Sequence, residues 1–430
     1  MSETKPIGPE AILHKKKQYM IPCMYHFYKD PPQMVKGQGI YLYDSDGKKY
    51  MDLYSGVSVH ALGHCHPEIT EVICRQVKQL QHTTTIYLTE PIVNLAERLA
   101  NILPGDLCKT FFCCSGSEAN EGAALLATLF TGRSGFLALQ NGLHGRTKLG
   151  MSLTGLEFWR TDPNPVTGIT HVPAPDCFHC RFSQSYGSCC FECVKAVESA
   201  IQNAANEKPA AMFVEPIQGN GGIIVPPPEY FPMLRNILNK FKVLLIADEV
   251  QTGFGRTGKM FALQNWGIVP DIITGGKALG GATPIGYFST TDKIAASYTR
   301  PGASTFGGNP VTAAAALKFL EILQRDNLTE HCTRQGNILK NKLKGLAQQH
   351  SFIADVRGLG LMIGVEIADN RQAEAAELTD KILEQMKDKG FLLGKTGAKR
   401  NVLTFMPPLI IKEAQLTEAV DALEKILQNL

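Results

Sequence analysis

No apolar run in this chain approaches the ~18 residues that a membrane-spanning helix needs, so no membrane partner is expected. The opening residues, Met1-Ser-Glu-Thr-Lys-Pro6, lack the apolar stretch of a secretion signal. Basic residues form no long block. The cluster Lys15-Lys16-Lys17 reads as the solvated face of a helix, and the net charge is only +3, so no nucleic-acid partner is expected. There is no internal repeat and no low-complexity segment, which excludes solenoids, propellers and long disordered linkers. Charged residues amount to 19% and apolar ones to 44%, the balance of a globular chain rather than a disordered one. Cysteine is not scarce: there are twelve. Without a secretion signal they read as reduced thiols, not a disulfide scaffold, and the expected location is the cytoplasm.

At 430 residues the chain should divide into two or three domains. From about residue 66 to 315, short apolar runs alternate with helical stretches. The strand candidates are Thr110–Cys114, Gly135–Leu139, Ala211–Val214, Val243–Ala247, Ile272–Ile273 and Tyr287–Phe288. Bounded by Gly, Pro or acidic residues, they suit a mostly parallel buried sheet with helices on its faces. Pro228–Lys240 is one such helix. Residues 316–430 read as a smaller α+β unit. Val311–Gln324 leads into it as a helix, Asp355–Glu366 makes a strand pair, and the last helix lines up Leu416, Ala419, Val420, Leu423, Ile426 and Leu427 on one face. Residues 1–65 contribute a strand and hairpin, Gly39–Gly47, expected to pack with that smaller unit.

The chemistry concentrates at two strand ends. Lys277 stands in Asp271-Ile-Ile-Thr-Gly-Gly-Lys277, and Asp248, 29 residues earlier, ends Val243-Leu-Leu-Ile-Ala-Asp248. In an α/β sheet both would project from the carboxyl edge, where ligands bind. A lysine able to become a neutral amine, beside a buried carboxylate, is what pyridoxal phosphate chemistry requires. The carboxylate keeps the pyridine nitrogen protonated, so that the ring accepts electrons. Ser115-Gly-Ser-Glu-Ala-Asn120 follows a strand and opens a helix. Its small residues let backbone amides approach an anion, and the helix N-terminus favours negative charge, so Gly116 and Ser117 are candidates for a phosphate.

Other motifs carry less. Gly253-Phe-Gly-Arg-Thr-Gly258-Lys259-Met260 nearly matches a nucleotide-binding P-loop, but Met260 stands where a magnesium-binding hydroxyl is needed. Gly358-Leu-Gly360 lacks the third glycine of a dinucleotide site. Cys177-x-x-Cys180 and Cys190-x-x-Cys193, near Cys189 and His179, are either reduced thiols packing a loop or a small structural zinc knuckle with a short nine-residue gap. No catalytic metal is expected.

From Gly39 to the C-terminus the chain resembles the class III (ω-amino acid type) aminotransferases, a group of the fold-type-I pyridoxal phosphate (PLP) enzymes. The motifs that carry the likeness include Gly63-His-Cys-His-Pro67, Ser115–Asn120, His144-Gly-Arg146, Glu215-Pro-Ile-Gln-Gly219, Asp248-Glu-Val-Gln251, Lys277, Thr305-Phe-Gly-Gly-Asn-Pro310 and Pro407-Pro-Leu409. The resemblance implies an α/β fold with a mostly parallel seven-stranded sheet in a large PLP-binding domain. It also implies a homodimer with shared active sites. Lys277 would be the cofactor-linked lysine and proton carrier, Asp248 the partner of the pyridine nitrogen, and Gln251 a neighbour of the ring hydroxyl. Gly116 and Ser117 would hold the phosphate, joined by Thr305 from the other subunit. Leu143 would cover the ring face, His144 and Glu215 would also contact the cofactor, and Glu215 would face the substrate, with Tyr54 and Thr404 also on the substrate side.

Two departures from the family pattern matter. Leu143 stands where a stacking Tyr or Phe is usual. Thr404 stands where many members place a carboxylate-gripping Arg before Pro407-Pro-Leu409. The activity implied is amino transfer from a terminal amine lacking an α-carboxylate to a 2-oxo acid such as pyruvate. The alternative within the family is a lyase expelling ammonia or phosphate from an aminoethylphosphonate- or phosphoethanolamine-type amine. A binding protein that has lost catalysis would not be expected to keep Lys277, Asp248 and Gln251 together.

Overall fold

A computed structural model describes residues 6–204, 208–368 and 374–430. Residues 1–5, most of the stretch judged unlike a signal, lie outside the described residues. Among those described, no helix is long and apolar enough to cross a membrane.

The chain is mixed α/β, and its centre is a seven-stranded sheet. In spatial order the strands are Lys109–Cys113, Gly286–Thr290, Ile272–Gly275, Leu244–Asp248, Ala211–Val214, Phe136–Leu139 and Ile169–Val172. Gly286–Thr290 runs antiparallel to both its neighbours, and the other pairs are parallel. Ala211–Val214 and Phe136–Leu139 are buried at every residue, which is why they read as continuous apolar runs rather than alternating ones. The edge strand Ile169–Val172 escaped the sequence reading. It is four residues long, two of them Thr170 and His171, and only Val172 is buried.

Helices cover both faces. Ser115 caps Gly116–Thr131 by accepting from the Glu118 amide, and the Cys114 amide donates back to the Glu118 carboxylate, a reciprocal cap that fixes where the helix begins. Asn309 caps Pro310–Arg325 through the amides of Val311 and Thr312, and Pro310 occupies the first turn, where its missing N–H costs nothing. The helix expected at Pro228–Lys240 spans Tyr230–Phe241.

The C-terminal part forms a second sheet, antiparallel throughout: Ile353–Leu359, Met362–Ile367, Val402–Phe405 and Gly394–Thr396. Gly358 and Gly360 lie at the hairpin of its first two strands, not at a strand-to-helix turn, so they cannot cradle a dinucleotide. Glu413–Leu427 lays all six expected residues, Leu416 to Leu427, into the core. In the third sheet, Met34–Gln38, Tyr41–Asp44 and Lys49–Asp52 form a meander, and Phe391–Leu392 pairs in parallel with Lys49–Asp52. The N-terminal hairpin is thereby joined to the C-terminal part. Lys15, Lys16 and Lys17 lie on Pro9–Tyr19, a helix with no buried residue.

The glycine loop that imitates a P-loop has a structural use. Arg256, 2% exposed, donates from its guanidinium to the carbonyls of Leu361 (3.1 Å) and Pro407 (2.5 Å), clamping the second sheet to the first. Burial lowers its pKa to about 10. Lys259 points to solvent. All twelve cysteines are free thiols. Cys177, Cys180, Cys189 and Cys193 line a cavity of about 30 Å³, and Cys190 is exposed outside it. Among the described residues no group of three or more His, Cys, Asp or Glu side chains is placed to hold a metal.

Candidate active site

The strand ends set the geometry. Asp248 is the last residue of its strand and pairs with Thr274 on the next. Lys277 follows two glycines beyond that point, and Glu215 directly follows the strand Ala211–Val214. These side chains therefore emerge at one carboxyl edge, together with the start of Gly116–Thr131. They line a cavity of about 230 Å³ with Ser117, Asn120, Leu143, His144, Gly145, Asn220 and Gln251.

The floor of the cavity is a buried polar chain. Asp248 Oδ2 accepts from His144 Nδ1 and from Asn120 Nδ2, both at 2.8 Å. Asn120 Oδ1 accepts from Thr274 Oγ1 at 2.7 Å, and the Val250 amide donates to Asp248 Oδ1 at 3.2 Å. All four side chains are nearly inaccessible to solvent. Burial opposes a charge on His144, but the bond to Asp248 outweighs it and raises the ring's pKa above its usual value. His144 and Asp248 thus form a charge-assisted pair that fixes the carboxylate's orientation.

Glu215 is oriented differently. One oxygen accepts from the Leu143 amide at 2.7 Å and the other from the Gly219 amide at 3.0 Å. Burial nonetheless pushes its pKa up to about 7, with Asp248 adding to the rise and His144 opposing it. Lys277 has a left-handed backbone (φ 43°), unusual for a residue with a side chain. Burial holds its ammonium below the usual lysine range, while Asp248 and Glu215 pull the other way. Among the described residues its amine has no hydrogen-bonding or ion-pair partner, which leaves it free within the cavity.

Two glycines are required by close approach. A side chain at Gly116 would meet Val250 Cγ1 at 2.7 Å, and one at Gly219 would overlap Gln251 Oε1 at 1.6 Å. The first keeps the helix start bare, where backbone N–H groups lack intrahelical acceptors. Ser117 Oγ accepts from the Arg146 amide at 3.1 Å, holding the loop after His144 against that helix start. Gln251 Oε1 and His144 Nε2 are buried polar atoms without partners, both on the cavity wall. Such atoms are costly unless a bound group answers them.

Eight of the expected residues meet here: Gly116, Ser117, Leu143, His144, Glu215, Asp248, Gln251 and Lys277. Three do not line the cavity. Thr305 is exposed, beside a separate hollow near Phe306. Tyr54 is partly buried against the apolar cluster of Ile217, Ile223, Met362 and Met406. Thr404 is fully buried, its hydroxyl bonded to Thr396 Oγ1 at 2.7 Å, so it offers a substrate neither charge nor access. Sequence reasoning gave no role to Asn120 and overlooked Asn220. Asn120 carried one signal: it is a polar residue within the otherwise apolar inner face of Gly116–Thr131.

A buried carboxylate, an unpartnered lysine, a bare helix start and unanswered polar atoms together fit a phosphorylated pyridine aldehyde, and define the site as one for PLP. The sequence profile of the class III aminotransferases matches residues 28–427. A mitochondrial alanine--glyoxylate aminotransferase 2 homolog of Arabidopsis thaliana is 38% identical over 97% of this chain and 87% of that protein. An acetylornithine aminotransferase of Mycobacterium bovis is 40% identical over 98% of each chain. A PLP-bound amine transaminase from an uncultivated Pseudomonas species superposes with a TM-score of 0.88 at 28% identity, over 96% of this chain and 98% of that one. The chain belongs to the class III aminotransferase family of PLP-dependent enzymes.

Proposed function

We propose that the enzyme moves an amino group from a terminal amine lacking an α-carboxylate to a 2-oxo acid such as pyruvate. The observation that carries the donor class is Thr404. At the position expected for a carboxylate-gripping arginine, the hydroxyl is turned into the second sheet and bonded to Thr396. An α-carboxylate left unpaired in a closed site costs a few kcal/mol, roughly a 10²-fold discrimination. The relatives and the solved structure named above are aminotransferases or transaminases, which supports transfer over elimination of ammonia or phosphate.

The residues divide the work as follows. PLP, when bound, supplies an electron sink. Asp248, held by His144 and Asn120, keeps a negative charge where the pyridine nitrogen would sit. The amides of Gly116 and Ser117 would hold the phosphate, with Thr305 of a second copy completing that contact in a homodimer. Leu143 would cover the ring, and Gln251 would answer the ring hydroxyl. Lys277, depressed in pKa and unpartnered, would link the cofactor to the chain, and once the donor amine has displaced it from that link its freed Nζ would carry the proton taken from the donor carbon. Glu215 faces the substrate. Balance requires that the donor leave as an aldehyde or ketone and the oxo acid leave as an amino acid.

The test is to incubate holoenzyme with candidate amines, with and without pyruvate. Product that requires the oxo acid is expected, with terminal amines preferred over alanine or glutamate by at least about tenfold in kcat/KM. Product formed equally well without an oxo acid would assign the enzyme to elimination. Alanine or glutamate as the best donor would overturn the donor class.

A further inference from the structure

Close to the cavity, Arg400 alone among the described cations has three aromatic rings around it. The guanidinium of Arg400 lies 5.6 Å from the ring centroid of Tyr25, 5.6 Å from that of Phe27 and 5.0 Å from that of Phe158. The rings themselves form a connected wall. Tyr25 packs on Phe158 (6.0 Å) and Trp159 (5.9 Å), and Phe27 on Tyr54 (6.0 Å). Both ends of this box are tied to the cavity. On one side Gly397 donates to the Asn220 carbonyl (3.0 Å) and Arg400 to the Gly397 carbonyl (3.0 Å), and Asn220 is a lining residue. On the other, Gly155 and Leu156 donate to Gly142, next to the lining residue Leu143, and lead directly to Phe158 and Trp159.

Arg400 is under-used for so constrained a residue. Its backbone is left-handed (φ 58°), a conformation disfavoured in a residue with a side chain. Of its five N–H donors, one bonds the Lys395 carbonyl at 3.2 Å, and among the described residues no carboxylate pairs with it. Neighbouring cations are engaged or remote from such a box. Lys395 is paired with Asp380, Arg357 with Asp355 and Glu366, and Lys399 is exposed. Flat aromatic faces orient a guanidinium and reduce its hydration while leaving its edge donors open. That arrangement favours a two-point hydrogen bond to an anion.

We infer that Arg400, held in the aromatic box of Tyr25, Phe27 and Phe158, is a specificity-determining residue that binds the distal anionic group of the amine donor. The inference rests on the donor class proposed above. It narrows that class to amines bearing a carboxylate or phosphonate at the end remote from the reacting nitrogen. The alternative role is a clamp that only holds the N-terminal segment in place, and such a clamp would serve every donor alike.

The experiment compares holoenzymes of wild type, Arg400→Met, Arg400→Lys and Arg146→Met. Arg146 is an exposed cation next to the lining residue Gly145. Donors are the ω-amino acids H₃N⁺–(CH₂)n–COO⁻, the matching aminoalkylphosphonates and the alkylamines of equal length. Arg400→Met should lower kcat/KM for at least one acidic series by about 20-fold or more, chiefly through KM. It should change the alkylamines by less than about threefold, and Arg400→Lys should recover part of the loss. Whichever acidic series is affected identifies the group bound. Equal losses on acids and alkylamines would overturn the inference in favour of the clamp. So would indifference of Arg400→Met, or a loss confined to Arg146→Met. If wild type accepts only α-amino acids, the donor class itself has failed, and this shows before any variant is tested. If wild type accepts the acids and Arg400→Met does not discriminate, only the role of Arg400 has failed.

Discussion

The floor and the rim of the cavity are built by opposite means. The floor is polar, dry and over-determined: Asp248, His144, Asn120 and Thr274 are joined by hydrogen bonds of 2.7–2.8 Å at the ends of buried strands. The rim is aromatic and lies outside the sheets, assembled from Tyr25, Phe27, Phe158 and Arg400, with ring contacts of 5–6 Å and one hydrogen bond from the guanidinium. Reaction chemistry needs charges fixed in direction, and strand ends provide that. Substrate choice needs shape and a single anchor, which loops can change without disturbing the sheet.

The contrast is tested most severely at the floor. Replacing Asp248 with Asn preserves size and most hydrogen bonds but removes the charge, and it leaves the raised pKa of His144 without its cause. We expect kcat to fall by about 10²–10³-fold with a much smaller loss of cofactor affinity, because the charge acts on the transition state. Lys277→Ala should lose still more turnover while retaining cofactor through Gly116, Ser117 and the ring contacts. Borohydride treatment of wild type should fix the cofactor on the Lys277 peptide. A kcat near wild type in Asp248→Asn, or labelling of a different lysine, would mean that the floor has been misread.

A smaller effect separates buried carboxyls inside the site from one outside it. Glu215 and Glu249 are both pushed up to about 7 by burial. Glu249 is not in the cavity: it accepts from Thr252 Oγ1 and the Leu263 amide. A carboxyl whose folded pKa exceeds its unfolded value stabilises the fold fully below about pH 4.5, and that contribution is lost as pH rises through 7. The cofactor-free protein should therefore lose thermal stability between pH 5 and 8, by a few degrees in Tm. Glu215→Gln and Glu249→Gln should each flatten that slope, measured by calorimetry across the range. Only Glu215→Gln should also alter the pH profile of kcat/KM. A matching change in Glu249→Gln would erase the distinction between site and scaffold.

What could be read from the sequence follows the same division. Ala211–Val214 and Leu244–Asp248 are apolar runs followed by or ending in a carboxylate, so their depth was visible, and with it the functional end at Asp248; Glu215 came from the family resemblance. Asp248 and Lys277 stood out because each follows such a run. The rim gave a weaker signal: Lys395, Lys399 and Arg400 stand near Thr404 in sequence and could serve a distal acidic group, but they read more readily as surface charges. Tyr25, Phe27, Phe158 and Arg400 are separated by more than a hundred residues at each long step, and no periodicity links residues brought together only by tertiary packing. Thr404 shows the limit from the other side. The sequence identified the missing guanidinium, but the burial of Thr404 and its bond to Thr396 belong to strand pairing that the sequence reading had not placed.

The smallest effect lies where floor and rim meet, at Leu143. This residue lines the cavity, its amide is fixed by Glu215, and its neighbour Gly142 receives the bonds that lead to Phe158. An aliphatic side chain covers a flat ring by dispersion alone, whereas an aromatic one adds about 0.5–1.5 kcal/mol through ring stacking. Leu143→Phe should accordingly tighten PLP binding by about two- to tenfold, measured as the Kd for cofactor on the stripped enzyme. The side chain is partly exposed to the cavity, so the larger ring has room on that side without displacing Glu215. Discrimination among donors should change little if the rim sets specificity through Arg400. If Leu143→Phe instead weakens cofactor and shifts donor preference together, the segment from Gly142 to Trp159 acts as one unit, and the separation of floor from rim does not hold.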